Sequence, residues 1–173
     1  MSPAAGRPAF EPAAIDAFVE SLPAIGCLLA LDLGTKTIGV AISDISRRIG
    51  SPLVLVRRTK FGADADALAR LAATHEAVGF ILGLPLNMDG SEGPRAQATR
   101  AFARNFAGRT ALPIAYWDER LSTAAAERML IDADRSRARR AELIDKTAAA
   151  WVLQGALDRM GMRPFGAAEP GSG

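Results

Sequence analysis

An α/β fold, a mixed five-stranded sheet flanked by helices, is what the sequence predicts, and three observations predict it. Three strand-like runs follow one another closely near the start; the apolar spacing then changes from alternation to helical periodicity; and short apolar runs thereafter alternate with helical stretches. Taken in order, Pro12 to Leu22 reads as a short helix with proline in its first turn. Cys27 to Leu33, Thr37 to Asp44 and Pro52 to Arg57 read as strands. The links between these strands are too short for the crossover that parallel neighbours require, so they form an antiparallel meander. Asp64 to His75, with Leu68 and Leu71 among alanines, reads as a helix. Val78 to Leu82 is apolar throughout, apart from Gly79, and suits a strand buried on both faces. Gly93 to Ala107 is helical again, with Phe102 and Phe106 four apart, and Pro113 to Asp118 is a second short buried strand. Ser122 is a natural cap for a further helix with Ala126, Met129 and Leu130 facing inward. A last helix runs from about Arg139 to Met160.

At 173 residues the chain has room for one domain of ordinary size. We expect it at 27–161, preceded by a partly flexible extension at 1–26 and followed by a flexible Pro- and Gly-rich tail at 162–173. Alanine accounts for 35 residues, so close helix packing has to supply much of the core. The 21 cations against 19 acids give a net charge of +2, which excludes a polybasic coat. With Cys27 the sole cysteine and His75 the sole histidine, neither an intrachain disulfide nor a Cys/His zinc cage can form. The stretch from Ala77 to Leu86 is interrupted by Gly79, Gly83 and Pro85 and falls short of the about 18 residues of a membrane span. The start of the chain lacks the apolar core of a secretory signal, and the expected location is the reducing cytoplasm.

Four segments carry chemistry. Asp32 ends a buried strand in Leu31-Asp-Leu-Gly-Thr-Lys-Thr37, where its charge needs compensation. A metal ion would supply it, with Gly34 allowing close backbone approach; equally, Asp32 could cap a hairpin turn. Trp117-Asp-Glu-Arg-Leu-Ser-Thr123 gathers two acids, a guanidinium and two hydroxyls at a strand-to-helix junction, the place where open α/β sheets bind ligands. A capped helix start accounts for the acids and Ser122, but not for Arg120 beside a positive helix end. Asp145 shares a helical stripe with Ala149, Val152 and Ala156, so it either turns inward towards the sheet or sits solvated in a first turn. The loop Gly83-Leu-Pro-Leu-Asn-Met-Asp-Gly90 follows a buried strand, where Asn87 could reach a phosphate or ribose. Arg135, Arg137, Arg139 and Arg140 read as a solvated linker between helices.

The element order is that of the ribonuclease H-like (RNase H-like) fold, and the four segments, in this order, resemble the YqgF family, also called RuvX, whose members are pre-16S ribosomal RNA nucleases related to the RuvC Holliday-junction resolvases. The resemblance runs from Leu28 to about Met160. It implies a cytoplasmic nuclease that hydrolyses phosphodiester bonds of structured nucleic acid with divalent metal, most simply at the 5′ end of precursor 16S ribosomal RNA. Its alternatives are a Holliday-junction resolvase and a non-catalytic nucleic-acid binding module. It also implies catalytic and metal-binding roles for Asp32, Asp118, Glu119 and Asp145, and substrate contacts from Thr35, Lys36, Asn87, Arg120, Thr123 and Lys146. Strand alternation puts Asp118 and Glu119 on opposite faces, so one of the two binds the ion directly. Oxygen donors favour Mg2+, with Mn2+ able to substitute. The implied partners are precursor ribosomal RNA or branched DNA and ribosomal particles, with no membrane, and the chain is expected to be a monomer or weak homodimer.

A sugar kinase or actin-like ATPase is the enzyme rival, because Asp32-Leu-Gly-Thr35 also resembles the first phosphate loop of that superfamily. Those proteins enclose a nucleotide between two such domains, and the second phosphate loop is not found here.

Overall fold

The computed structural model describes residues 15–121 and 137–161, with the helical path alone given for 137–147. The elements, in order, are α1 (Ile15–Glu20), β1 (Leu28–Leu33), β2 (Thr37–Ser43), β3 (Gly50–Arg57), α2 (Phe61–Thr74), β4 (Gly79–Leu84), α3 (Pro94–Ala107), β5 (Ile114–Asp118) and α4 (Arg137–Gly161). The strands form a single sheet in the order β3-β2-β1-β4-β5. The first three pair antiparallel as expected, and β4 and β5 add parallel on the other side of β1. Because β3 runs with β1, four of the five strands end at one edge of the sheet. That edge carries the site.

Alternation along β1 splits the core in two. Leu29, Leu31 and Leu33 pack with Leu82, Leu84 and Tyr116 against Leu68 of α2 and Phe102 and Phe106 of α3. Leu28 and Ala30 face the other way, with Ala41, Ile81, Ala115 and Trp117, and are covered by Phe18 of α1 and by Ala149, Val152, Leu153 and Ala156 of α4. The α4 face is paved with small side chains, so this helix lies close over the sheet, as the alanine count required. Burying Phe102 or Phe106 contributes roughly 1.5–3 kcal/mol each, and Phe106 also meets Phe80 edge-on at 4.9 Å.

Several element ends differ from the sequence reading. β4 continues to Leu84 because it pairs in parallel with Asp118, and the Leu84 carbonyl also accepts the Glu119 N–H at 3.1 Å. β3 starts at Gly50, paired with Ser43, while its N–H donates to Gln154 of α4 at 2.9 Å. α2 begins at Phe61, whose ring packs edge-on to Phe102. Arg137, Arg139 and Arg140, read as linker, lie in the opening turns of α4. The helix expected from Ser122, including Thr123, and the expected tail at 162–173 lie outside the described residues, as do residues 1–14.

Candidate active site at the carboxyl ends of the strands

Asp32 is the fifth residue of β1 and lies on the α4 face, opposite Gly39 of β2 and one step beyond the Leu31–Leu82 pair, hence beside Gly83 of β4. Glycines therefore flank it on both neighbouring strands. Glu119 follows β5 on the same parity as Ala115 and Trp117, so its side chain also falls on the α4 face. It lies across Gly83. A Cβ on Gly83 would stand 2.5 Å from Glu119 Oε1 and 3.0 Å from Val152 Cγ2, so the glycine is what makes room for the carboxyl group. Burial, then the Asp32 charge and a hydrogen bond to Asp32, push the Glu119 carboxyl up to about 8, partly offset by Arg95. Two carboxyls this close hold a proton between them at neutral pH, and a cation is the other way to relieve the repulsion.

Asp118 has the opposite surroundings. It points to the α2/α3 face and is gripped by Arg120, whose Nε and Nη2 donate to its two oxygens at 3.0 and 2.6 Å, while the Arg120 backbone N–H donates at 3.0 Å. Burial raises its proton affinity, but these bonds and the Arg120 charge outweigh it and hold the carboxyl below its ordinary range. Arg120 Nη1 also donates to the Met88 carbonyl at 3.3 Å, which ties the end of β5 to the β4–α3 loop.

Of the other expected residues, Thr35 and Lys36 are exposed in the turn between β1 and β2. That turn is closed by Gly34 N–H donating to the Thr37 carbonyl at 2.9 Å; a Cβ on Gly34 would collide with that same oxygen at 2.9 Å. Asn87 is exposed, and its amide donates to Ser91 Oγ at 3.0 Å, which shapes the loop. Asp145 and Lys146 lie on α4, Asp145 two turns before Val152; their side chains, and all of Thr123, lie outside the described residues. Two arginines that the sequence reading did not single out also reach this edge. Arg95 Nη2 donates to the Leu33 carbonyl at 3.4 Å, and Arg58 Nη1 to the Gly34 carbonyl at 2.6 Å.

Asp32 and Glu119 could hold a divalent ion, since both offer hard oxygen donors on the same face of the sheet. Among the described residues no group of three or more His, Cys, Asp or Glu side chains is gathered for a metal.

The fold is that of the RNase H-like resolvases: Thermus thermophilus RuvC in complex with a Holliday-junction substrate superposes with a TM-score of 0.52 at 12% identity, covering 79% of this chain and 97% of that one. Residues 26–159 match the family model described as RuvX, Holliday junction resolvase. A Paracoccus denitrificans protein named "Putative pre-16S rRNA nuclease" is 62% identical over 146 residues, 84% of this chain and 92% of its own length. A Rhodopseudomonas palustris protein of the same name is 66% identical over 138 residues, 80% and 86% of the two chains. The chain belongs to the RuvX family.

Proposed function

We propose that the chain is a metal-dependent nuclease that hydrolyses phosphodiester bonds of structured nucleic acid, and that its substrate is the 5′ end of precursor 16S ribosomal RNA. The observation that carries this reading is the Asp32–Glu119 pair, brought together across Gly83 at the carboxyl edge of the sheet, where the two carboxyls offer oxygen donors to a cation. The names of the relatives support the RNA substrate. The description of the matching family model favours a second substrate, the four-way DNA junction.

In this reading Asp32, Glu119 and Asp145 hold Mg2+, for which Mn2+ can substitute; Asp145 is included because its helix position is two turns before Val152, the α4 residue that packs at Gly83. Bound there, a divalent ion would supply Lewis-acid chemistry, activating water and offsetting charge on the phosphate. Asp118 acts through Arg120, holding that guanidinium towards the β4–α3 loop so that it can meet a phosphate oxygen. Lys36, exposed beyond Asp32, offsets phosphate charge, and Thr35, Asn87, Thr123 and Lys146 complete the expected substrate contacts. Gly83 and Val152 keep Glu119 against Asp32 and away from bulk water. The protein would act in the cytoplasm on ribosomal particles, as a monomer or weak homodimer.

The test is to incubate the purified protein and its Asp32→Asn variant with Mg2+, a precursor 16S ribosomal RNA fragment and a four-way DNA junction, and to map the cuts. Wild-type cuts at the RNA 5′ end that vanish in the variant and in EDTA are expected. Symmetrical junction cuts alone would select the second substrate, and cleavage by Asp32→Asn at the wild-type rate would refute the catalytic assignment. Without metal and above pH 8, where Glu119 is ionised, Asp32→Asn should melt no lower than wild type, because one of two apposed charges is gone.

A further inference from the structure

Two guanidinium groups close over the backbone that leaves Asp32. Arg95 Nη2 donates to the Leu33 carbonyl and Arg58 Nη1 to the Gly34 carbonyl, so consecutive peptide groups are held from two different elements, α3 and the segment after β3. Lys36, the next cation along the chain, is exposed in the same turn, and its carbonyl accepts the Arg58 N–H at 2.9 Å. Arg58 is a third exposed, stands over the Phe102 ring at 5.9 Å, and has Asp64 only at 4.0 Å, the outer limit of an ion pair. Arg95 is exposed.

The contrast with Arg120 is chemical. Arg120 turns Nε and Nη2 to a carboxylate, which offsets part of its charge and leaves Nη1 towards the β4–α3 loop. Arg95 spends one donor on a neutral carbonyl, which fixes the side chain and leaves its charge in place; Arg58 does the same, with its Nε 4.0 Å from the Asp64 carboxylate. A guanidinium carries five N–H donors in a rigid fork matched to phosphate oxygens. Helix stability does not explain Arg95 either, because it stands in the first turn of α3, where a cation is disfavoured.

We propose that Arg95 and Arg58, with Lys36 beside them, form a subsite for a backbone phosphate of the bound nucleic-acid strand, on the far side of the β1 end from the Asp32–Glu119 pair. It rests on the nuclease reading and deepens it. The strand would cross the end of β1, with one phosphate against the carboxylates and another, further along, in the arginine subsite. The interaction is with the backbone, so it serves RNA and DNA alike and carries no sequence preference.

The test measures binding by fluorescence anisotropy, with Mg2+ present, in the Asp32→Asn protein so that cleavage does not intervene. The probes are a labelled RNA duplex with a 5′ extension and a labelled four-way DNA junction. Added to that parent are Arg95→Gln, Arg58→Gln, Arg95→Lys and, as a control from just beyond the far end of α3, Arg109→Gln. Expected are a several-fold loss of affinity for Arg95→Gln and Arg58→Gln, and a slope of log affinity against log salt that is shallower by about 0.9 for each duplex-DNA phosphate no longer neutralised. Arg95→Lys should keep the parent's slope, and Arg109→Gln both the affinity and the slope. Parent-like affinity and slope in both glutamine variants would overturn the subsite while leaving the nuclease reading standing. Failure of the parent to bind either probe would overturn the nuclease reading itself.

Discussion

Asp44 and Glu119 are both acids that follow a strand, at opposite ends of the same sheet, and their surroundings pull them apart. Asp44 leaves β2 in a turn that saturates its carboxylate: Ser46 Oγ donates to Oδ2, and the backbone N–H groups of Arg48 and Ile49 donate to Oδ1 at 2.8 and 3.0 Å. These bonds, the Ile49 N–H first among them, lower its carboxyl to about 2. The same turn holds Arg47 at a φ of 56°, a left-handed conformation compensated by guanidinium bonds to the carbonyls of Pro23, Ala24 and Gly26. Here a charge is neutralised by its own backbone and nothing further is needed. At the other end Glu119 is buried against Asp32 and rises to about 8. A turn that satisfies its acid serves structure. Glu119 meets a second acid in place of a set of backbone donors.

The largest expected effect tests that contrast directly. Glu119→Gln should lower metal-dependent cleavage by at least about a hundredfold, the upper end of what loss of an orienting group costs at a metal site. Asp44→Asn should cleave at the wild-type rate and melt at a lower temperature, since three hydrogen bonds to a charged acceptor are weakened. Comparable cleavage by the two variants would erase the distinction.

Gly83→Ala probes the same pair without touching an acid. The added methyl would sit 2.5 Å from Glu119 Oε1, so the carboxyl must swing away from Asp32 or α4 must shift. Cleavage should fall by about ten- to a hundredfold, while affinity for a labelled four-way junction stays near that of the wild type. Full cleavage with normal binding would show that Glu119 need not lie where the glycine lets it.

These positions were unequally legible in the sequence. The meander of β1 to β3 followed from its short connections, and the later strands from apolar runs between helical stretches. What alternation could not decide was whether Asp118 or Glu119 shares a face with Asp32, because β5 is buried on both faces and Ile114, Ala115, Tyr116 and Trp117 give no polar parity to read. The register of β4 with β5 settles it: Gly83 pairs with Trp117, which puts Glu119 on the α4 face. Gly83 read only as a glycine at a strand end, since its use depends on a side chain 36 residues away that only the sheet brings over it. Arg58 and Arg95 were hidden among 18 arginines, because nothing local distinguishes a guanidinium that reaches β1 from one that faces solvent.

The smallest expected effect, and the one that sees both ends at once, is the pH dependence of stability without metal. Glu119 goes from an ordinary value of 4.5 to about 8 on folding. Below 4.5 it is protonated in both states; above it the unfolded chain releases the proton while the folded chain keeps it, so stability falls as pH rises and levels off once the folded group ionises. Asp44 works in the reverse sense: lowered from 3.8 to about 2, it contributes stability above 3.8 that is lost as pH falls through 2. The melting temperature in EDTA should therefore decline from about pH 4.5 towards pH 8 on account of Glu119, and decline again below pH 3.8 on account of Asp44. Glu119→Gln should flatten the first decline alone, and Asp44→Asn should reduce the second alone. Mn2+ should also counter the first decline in the wild type, because a cation takes the place of the proton and binds only the folded state. Melting curves in EDTA that decline equally from pH 4.5 to pH 8 in wild type and Glu119→Gln would show that burial and Asp32 together do not raise the proton affinity of Glu119 in the folded protein.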